Sequence, residues 1–302
     1  DAKELDKNFD AVRREAQSSF GNPGVLVEKF IVNPHHIEVQ IIADKKGNVY
    51  HCYERECSVQ RRHQKIIEEA PSPFIANDEK LRQEICETAV KLAKAANYNS
   101  AGTVEFIMGN DKSFYFLEMN TRIQVEHPIT EQITGVDLVA NMIKAALGED
   151  LDFASQEEIK INGHSIECRI CAEDPITMLP APGHVNGFET TFPQGVRFDH
   201  CIFNGLDIKP DFDPMIGKLI VHGHNRSVVI RKMRTALSGL YIEGAKTNVP
   251  LHEIIMQEEN FVAGQYTTNY IADVAPQDSV AEKVRVESLY KKAVAIEMSL
   301  IE

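Results

Sequence analysis

Positive charge is scarce in this sequence: 32 lysines and arginines stand against 45 aspartates and glutamates, a formal net charge of −13. That balance argues against non-specific binding to nucleic acid or an anionic membrane, since both favour a basic surface. Cysteine is sparse as well. Cys52, Cys57, Cys86, Cys168, Cys171 and Cys201 are scattered without a disulfide-like framework, as suits a reducing cytosol. No apolar run approaches the length of a membrane span, and Asp1-Ala2-Lys3-Glu4 begins nothing like a signal peptide. A cytoplasmic protein with no nucleic-acid or membrane partner is therefore expected. Internal repeats and low-complexity segments are absent too.

What is present is an ordinary globular composition, 43% hydrophobic and 25% charged over 302 residues, enough for one large domain or two ordinary ones. Leu5, Phe9, Val12 and Ala16 recur at helical spacing, so residues 3–17 read as an amphipathic helix broken by Ser18 to Gly24. A domain rarely starts with no lead-in before its first helix, so something upstream is expected to be missing. Val25 to Ile31 reads as a buried strand. His36 to Ala43 and Val49 to Glu54 read as a hairpin turned by Asp44 to Asn48. Asp78 is placed to cap a helix over 78–97. Residues 130–147 read as one helix closed by Gly148, and 164–172 as a strand. Short strands follow from Pro180 to Asn225, then helices over 226–239 and from Thr247 to Glu259. Ala275 to Ser279 reads as a linker, and Ser288 to Leu300 as a last helix.

Chemistry concentrates between Glu118 and Pro128. Glu118, Asn120, Arg122, Gln124 and Glu126 fall at every second position, with Met119, Thr121, Ile123 and Val125 between them. In an extended backbone those polar residues share one face. An ordinary half-buried strand alternates in the same way, but these residue types offer more than a solvated face. They supply hard oxygen ligands for a divalent ion, a planar cation for an oxyanion, and a spare carboxylate able to act as base. Residues 102–120 read as a hairpin. With Gly109 to Lys112 as a two-residue-loop turn, Glu105 falls opposite Phe116 and Thr103 opposite Glu118. Glu105 and Glu118 then become diagonal neighbours roughly 7–8 Å apart, and a cation between them would relieve their repulsion. Mg²⁺, which takes one or two carboxylates plus phosphate oxygens, fits such a pair.

Ser58-Val59-Gln60-Arg61-Arg62-His63-Gln64-Lys65 is dense in donors and reads either as a solvated surface or as a phosphate-facing loop. Arg169 lies in an otherwise apolar run and needs an anionic partner, as a structural ion pair or as a site residue. Cys168-x-x-Cys171 does not read as a zinc site. Three residues apart on a strand the thiols face opposite sides, and no second pair exists. Asp211-Phe212-Asp213-Pro214 lacks calcium-loop spacing and reads as a turn.

Glu28-Lys29, Ser58 through Lys65, Glu118 through Pro128, and Glu167-Cys168-Arg169-Ile170-Cys171-Ala172-Glu173-Asp174-Pro175 together resemble the biotin carboxylases. These are the ATP-grasp components of acetyl-CoA, propionyl-CoA and pyruvate carboxylases. The likeness runs in order from about residue 1 to about residue 272. It implies an α+β fold, the carboxyl-terminal part of an ATP-grasp domain with antiparallel sheets followed by the biotin carboxylase C-terminal domain. Residues 1–30 would be the tail of the lid subdomain and 31–150 part of the ATP-grasp core. Residues 151–275 would form the C-terminal domain, and 276–302 a linker and helical tail.

The resemblance further implies that carboxyphosphate is made from ATP and bicarbonate and that N1′ of biotin is carboxylated on a carrier protein or domain. A carboxyltransferase subunit or domain and a homodimeric state are implied as partners. Glu28, Lys29, Ile31 and Ile107 would line the adenine pocket, and His36, Gln60 and His63 would lie along the ribose and phosphates. Glu105, Glu118 and Asn120 would hold Mg²⁺ or Mn²⁺. Arg122, Gln124 and the backbone N–H of Val125 would bind bicarbonate, with Lys65 near its phosphorylated form. Glu126 would deprotonate bicarbonate, and Arg169 would stabilise the biotin enolate, where fixed positive charge meets developing negative charge. The family's Gly-rich phosphate loop and an ATP-binding lysine have no counterpart in residues 1–302, which implies a missing amino-terminal portion and a chain inactive by itself. Two rival readings stay open. Another ATP-grasp ligase, joining a carboxylate to an amine, would share Glu105, Glu118 and Asn120 but has no use for Gln124-Val125-Glu126 together with Arg169. A non-catalytic assembly piece would only dimerise through its C-terminal part.

Overall fold

The computed structural model describes residues 2–274 and 280–286. The linker expected at 275–279 and the helix expected at 288–300 lie outside the described residues. Two compact units divide the chain, Asp1–Val32 and Asn33–Glu302.

Helix α1, Ala2–Phe20, occupies the first unit over the span predicted from its apolar spacing. Gly21, at φ 69°, donates its N–H to Gln17 O at 3.1 Å and turns the chain out of the helix. The strand expected at 25–31 does not form, and residues 22–31 have no regular structure. An apolar run becomes a strand only by pairing its backbone with a neighbour. No described strand pairs with this one, and Leu26, Val27 and Phe30 stay 80%, 82% and 83% exposed.

In the second unit the strands are β1 (His35–Ala43), β2 (Val49–Arg61), β3 (Gln64–Ala70), β4 (Ser100–Met108), β5 (Phe114–Asn120) and β6 (His164–Cys171). They are followed by β7 (Gly183–His184), β8 (Gly187–Thr190), β9 (Val196–His200), β10 (Asp207–Ile208), β11 (Met215–Gly223) and β12 (Leu240–Glu243). Eight of them build one antiparallel sheet in the order β5-β4-β1-β2-β3-β6-β11-β9. The pairs β7–β10 and β8–β12 form two small ladders. The large sheet runs unbroken through the join of β3 with β6, where Ile67 faces Cys168 and Glu68 faces Glu167.

Alternation along β1 gives the sheet two different faces. Ile37, Val39 and Ile41 enter a core with Ile85, Cys86 and Ala89 of α2 (Glu79–Ala95). Asp78 caps that helix, its carboxylate accepting from Leu81 N at 3.1 Å. Between those apolar positions Glu38 and Gln40 point to the opposite face and are fully buried. Burying ionisable groups this way demands partners, and the sheet supplies them.

Several local expectations fail for identifiable reasons. The helix expected over 130–147 is two, α3 (His127–Thr134) and α4 (Leu138–Leu147), because Gly135 takes φ 72° and ends the first. Asp137 then caps α4, and Gly148 closes it as expected. The helix α5 (Arg226–Ser238) starts at its Asn225 cap. The span from Thr247 to Glu259 divides into α6 (Val249–Ile255) and α7 (Glu259–Ala263). Glu258 leaves helical geometry at ψ 134° and its carboxylate accepts from the N–H of Asn260 and Phe261. Helix α8 (Tyr270–Val274) and a helical stretch at 280–286 follow.

The β4–β5 connection spans residues 109–113 rather than two residues, closed by Gly109 N to Ser113 O at 2.9 Å. A bulge then shifts the register, so Glu105 faces Glu118 directly and Thr103 faces Asn120. Nor is 118–128 one strand. β5 ends at Asn120, and α3 begins at His127 with Pro128 in its first turn, a position that needs no N–H partner. Among the described residues no helix is long and apolar enough to cross a membrane.

Candidate active site

A charged row crosses four strands of the sheet. Glu118 of β5 faces Glu105 of β4, Glu105 faces Glu38 of β1, and Glu38 faces Arg55 of β2. Directly opposed residues share a face, and like charges so placed repel unless cations compensate them. Arg55, fully buried, does so from below. It donates to Glu38 Oε1 at 2.5 Å and Gln40 Oε1 at 2.7 Å. It also donates to Thr130 Oγ1 at 3.0 Å, Thr103 Oγ1 at 3.1 Å and Gln124 Oε1 at 2.8 Å. Every donor direction of its fork is used.

Lys65 compensates from the pocket side. The donor-rich run Ser58–Lys65 is not an open loop, and its exposed part is confined to Arg62, His63 and Gln64. It is the end of β2, a tight turn at Arg62-His63 with φ 49° and 66°, and the start of β3, so that Gln60 faces Lys65. The Lys65 ammonium lies 2.6 Å from Glu38 Oε2, 3.1 Å from Glu105 Oε1 and 2.7 Å from Glu126 Oε1. Burial alone would raise Glu38, but Lys65 and Arg55 outweigh it and hold the carboxyl at about 2. Glu105 is also held at about 2, since His36 and Lys65 outweigh its burial. Burial would lower Lys65, yet Glu38 and its other acidic neighbours push it above the ordinary lysine range.

Glu126 links this cluster to β6. Lys65 holds its Oε1, and Arg169 Nη2 donates to its Oε2 at 3.0 Å. Arg169 Nε in turn donates to Glu68 Oε1 at 2.6 Å, so the anionic partner its sequence position demands is a pair of glutamates. Around them His36 Nε2 lies 2.8 Å from Glu105 Oε2, and Gln60 Nε2 lies 2.8 Å from His36 Nδ1. Gln124 Nε2 donates to Glu105 Oε1 at 2.6 Å. Asn120 Nδ2 donates to Glu105 Oε1 at 3.0 Å and to Glu118 Oε1 at 3.2 Å, while Arg122 Nη2 donates to Asn120 Oδ1 at 3.0 Å. Lys218 of β11 fixes the Val125 carbonyl at 2.9 Å.

These groups open onto one cavity of about 510 Å³. His36, Gln60, His63, Lys65, Glu105, Glu118, Asn120, Arg122, Gln124, Val125, Glu126 and Arg169 all contribute to its wall. Ile107 is on β4, opposite His36 and Tyr115, and does not line that wall. Glu28, Lys29 and Ile31 belong to the first unit. Sequence reasoning missed Glu38, Arg55, Glu68 and Lys218. The visible signal for Glu38 was a lone acid inside the apolar run from Ile37 to Ala43.

The donor set of Glu105, Glu118 and Asn120, two carboxylates and an amide at the cavity wall, fits a hard divalent cation. Ligand atoms of His36, Glu38 and Glu105 also lie within 4.8 Å of one another, as do those of Glu38, Cys57 and Glu126. The Lys65 ammonium already contacts Glu38, Glu105 and Glu126 at that junction, and burial pushes the Cys57 thiol well up. Those two groups are therefore one ammonium site, and the exposed Glu118 edge is the better place for a metal.

The family model "Carbamoyl-phosphate synthase L chain, ATP binding domain" matches residues 1–154, and "Biotin carboxylase C-terminal domain" matches residues 167–273. An ATP-binding domain of the ATP-grasp type joined to that second domain defines the class of the protein. The biotin carboxylase of Haemophilus influenzae is 47% identical over 267 residues, 88% of this chain and 59% of that protein. The biotin carboxylase of Pseudomonas aeruginosa is 46% identical over 271 residues, 90% of this chain and 60% of its own length. The biotin carboxylase domain dimer of the Hydrogenobacter thermophilus 2-oxoglutarate carboxylase, solved with MgADP, ADP and bicarbonate, superposes with a TM-score of 0.85 at 45% identity. That match covers 91% of this chain and 60% of the other. The chain belongs to the biotin carboxylase family. It spans about 60% of the length of the relatives it matches.

Proposed function

We propose that this chain provides the metal, bicarbonate and biotin side of an ATP-dependent biotin carboxylation site. The single observation that carries this reading is Glu126, one carboxylate gripped at its two oxygens by two different cations, Lys65 and Arg169, at the wall of the cavity. In this account Arg122, Gln124 and the Val125 N–H bind bicarbonate, and the Lys218 bond to the Val125 carbonyl fixes the adjoining Val125–Glu126 peptide. Glu126 takes the bicarbonate proton as a bicarbonate oxygen attacks the γ-phosphorus of ATP and ADP departs. Lys65 lies against the carboxyphosphate so formed. Carboxyphosphate breaks its C–O bond to release CO₂ and phosphate, and the phosphate takes the N1′ proton of biotin. Arg169 meets the negative charge that develops on the ureido oxygen as N1′ bonds to the CO₂ carbon. Mg²⁺ or Mn²⁺ held by Glu105, Glu118 and Asn120 would neutralise charge on the nucleotide phosphates. His36, Gln60 and His63 are assigned to the ribose and phosphates.

A biotin carrier and a carboxyltransferase are the partners this chemistry requires, and a homodimer and a cytoplasmic location are proposed with them. Support comes from a relative solved as the biotin carboxylase domain of a larger carboxylase, and solved as a dimer. The test is ADP release in the complete carboxylase carrying this chain. Dependence on bicarbonate and stimulation by free biotin are expected. Turnover that needs an amine and ignores bicarbonate would overturn the reading.

A further inference from the structure

The face that carries Arg169 holds two acids that the proposed chemistry does not use. Glu68 of β3 and Glu167 of β6 are directly opposed in the ladder, and both are completely buried. Glu167 stands two residues before Arg169 on the same strand, so all three share one face. Glu68 Oε1 accepts from Arg169 Nε at 2.6 Å, whereas Glu68 Oε2 and both oxygens of Glu167 have no hydrogen-bond partner. Leaving such atoms unpaired is costly, and two ionised carboxylates side by side in a dry interior are costlier still.

We propose that Glu68 and Glu167 share one proton as an acid–carboxylate pair, and that this pair positions Arg169 for the chemistry at the cavity wall. The positioning half rests on the function proposed above, but the shared proton does not. Arg169 has two anionic partners, Glu68 on one edge and Glu126 on the other. A third full charge at Glu167 would pull the guanidinium along β6, away from Glu126. A neutral Glu167 leaves Glu68 as the single anchor on that edge, so the Nη2 group is kept for Glu126 and the cavity.

The surrounding charges agree. Glu68 faces Glu167 in the ladder, Arg169, Glu126 and Lys218 of β11 act on Glu167 through their charges, and Arg169, Glu126 and Lys65 act on Glu68. Burial first, and then Glu68, push Glu167 well above the usual carboxylate range. Burial raises Glu68 to about 7 against the pull of Arg169.

The test starts with this chain at neutral pH, where exposed carboxylates are ionised. Infrared spectroscopy should show the carbonyl band of a buried carboxylic acid, and Glu167→Gln, which copies the neutral form, should remove it while leaving the melting temperature within a few degrees of the parent. The Arg169 Nε–H should exchange slowly by NMR, much faster in Glu68→Ala, and slowly again in Glu68→Gln, whose amide oxygen can still accept. In the complete carboxylase Glu68→Ala should lower kcat/KM for carboxylation of free biotin about tenfold, the worth of one charged hydrogen bond, and leave biotin-independent ATP cleavage. Absence of the acid band, or a Glu167→Gln protein as unstable as Glu167→Ala, overturns the shared proton. Unchanged Arg169 exchange in Glu68→Ala overturns the positioning. If both spectroscopic results hold and kcat/KM for free biotin does not move, the pair stands and the assignment of biotin to Arg169 falls.

Discussion

Replacing Lys65 with methionine keeps most of its buried stem and removes only the ammonium. That charge lies within 3.1 Å of Glu38, Glu105 and Glu126 and is almost wholly buried. Breaking a buried ion pair typically costs about 3–5 kcal/mol, because the partner charge is stranded. Each partner here keeps a second cation or donor: Arg55 for Glu38, His36 for Glu105 and Arg169 for Glu126. The loss expected at neutral pH is therefore about 3 kcal/mol, the lower end of that range. The cost must also depend on pH. Glu38 and Glu105 are lowered from 4.5 to about 2, so their contribution is present above pH 4.5 and is lost as pH falls toward 2. Without Lys65 both should titrate higher, and protonation near pH 4 relieves the stranded charge. Denaturant unfolding of the parent and of Lys65→Met at pH 7 and pH 4 measures this. The difference should shrink on acidification. A difference under about 1 kcal/mol at pH 7, or one that is equal at both values, would refute the claim that the ammonium neutralises this cluster.

Other expectations are narrower. Glu118→Gln in the complete carboxylase should raise the Mg²⁺ concentration needed for bicarbonate-dependent ATP cleavage, and Glu105→Gln should do so too. Unchanged Mg²⁺ dependence in both variants would remove them as metal ligands. Asp78→Ala should lower the melting temperature, since α2 loses its N-cap and Lys112 Nζ its partner at 3.2 Å, with no effect on any assay of the site; an unchanged melting temperature would remove Asp78 as a working cap.

Motifs whose meaning is local were readable from the sequence. The residue types at Glu118, Asn120, Arg122, Gln124 and Glu126 pointed to a metal and oxyanion wall, and those side chains do line one cavity. The need of Arg169 for an anion was readable too, because a guanidinium in an apolar run must be compensated where it is buried. What stayed hidden depended on register and on contacts far apart in the chain. The longer turn shifts the register by one residue and the bulge near Leu117 by another, which together change Glu118 from a diagonal to a direct neighbour of Glu105, and no composition rule signals either. Gly135 read as helix interior because its neighbours keep the apolar period, and only its φ of 72° shows the break. Arg55 and Glu38 face one another across a ladder, so neither predicts the other until β1 and β2 are paired. The apolar run at 25–31 had the composition of a strand but no described partner, and pairing is what makes a strand.

The central claim is that Glu126 and Arg169, in contact at 3.0 Å, serve different halves of one reaction. The most direct measurement compares biotin-independent ATP cleavage with carboxybiotin formation in the complete carboxylase carrying Glu126→Gln or Arg169→Gln, with a melting temperature for each. Glu126→Gln should depress both activities, by about 10²- to 10⁴-fold for loss of a general base. Arg169→Gln should depress carboxybiotin formation by about 10²- to 10³-fold and leave much of the biotin-independent cleavage. Equal loss of both activities in Arg169→Gln, with a large fall in melting temperature, would make Arg169 a structural ion pair and contradict the account.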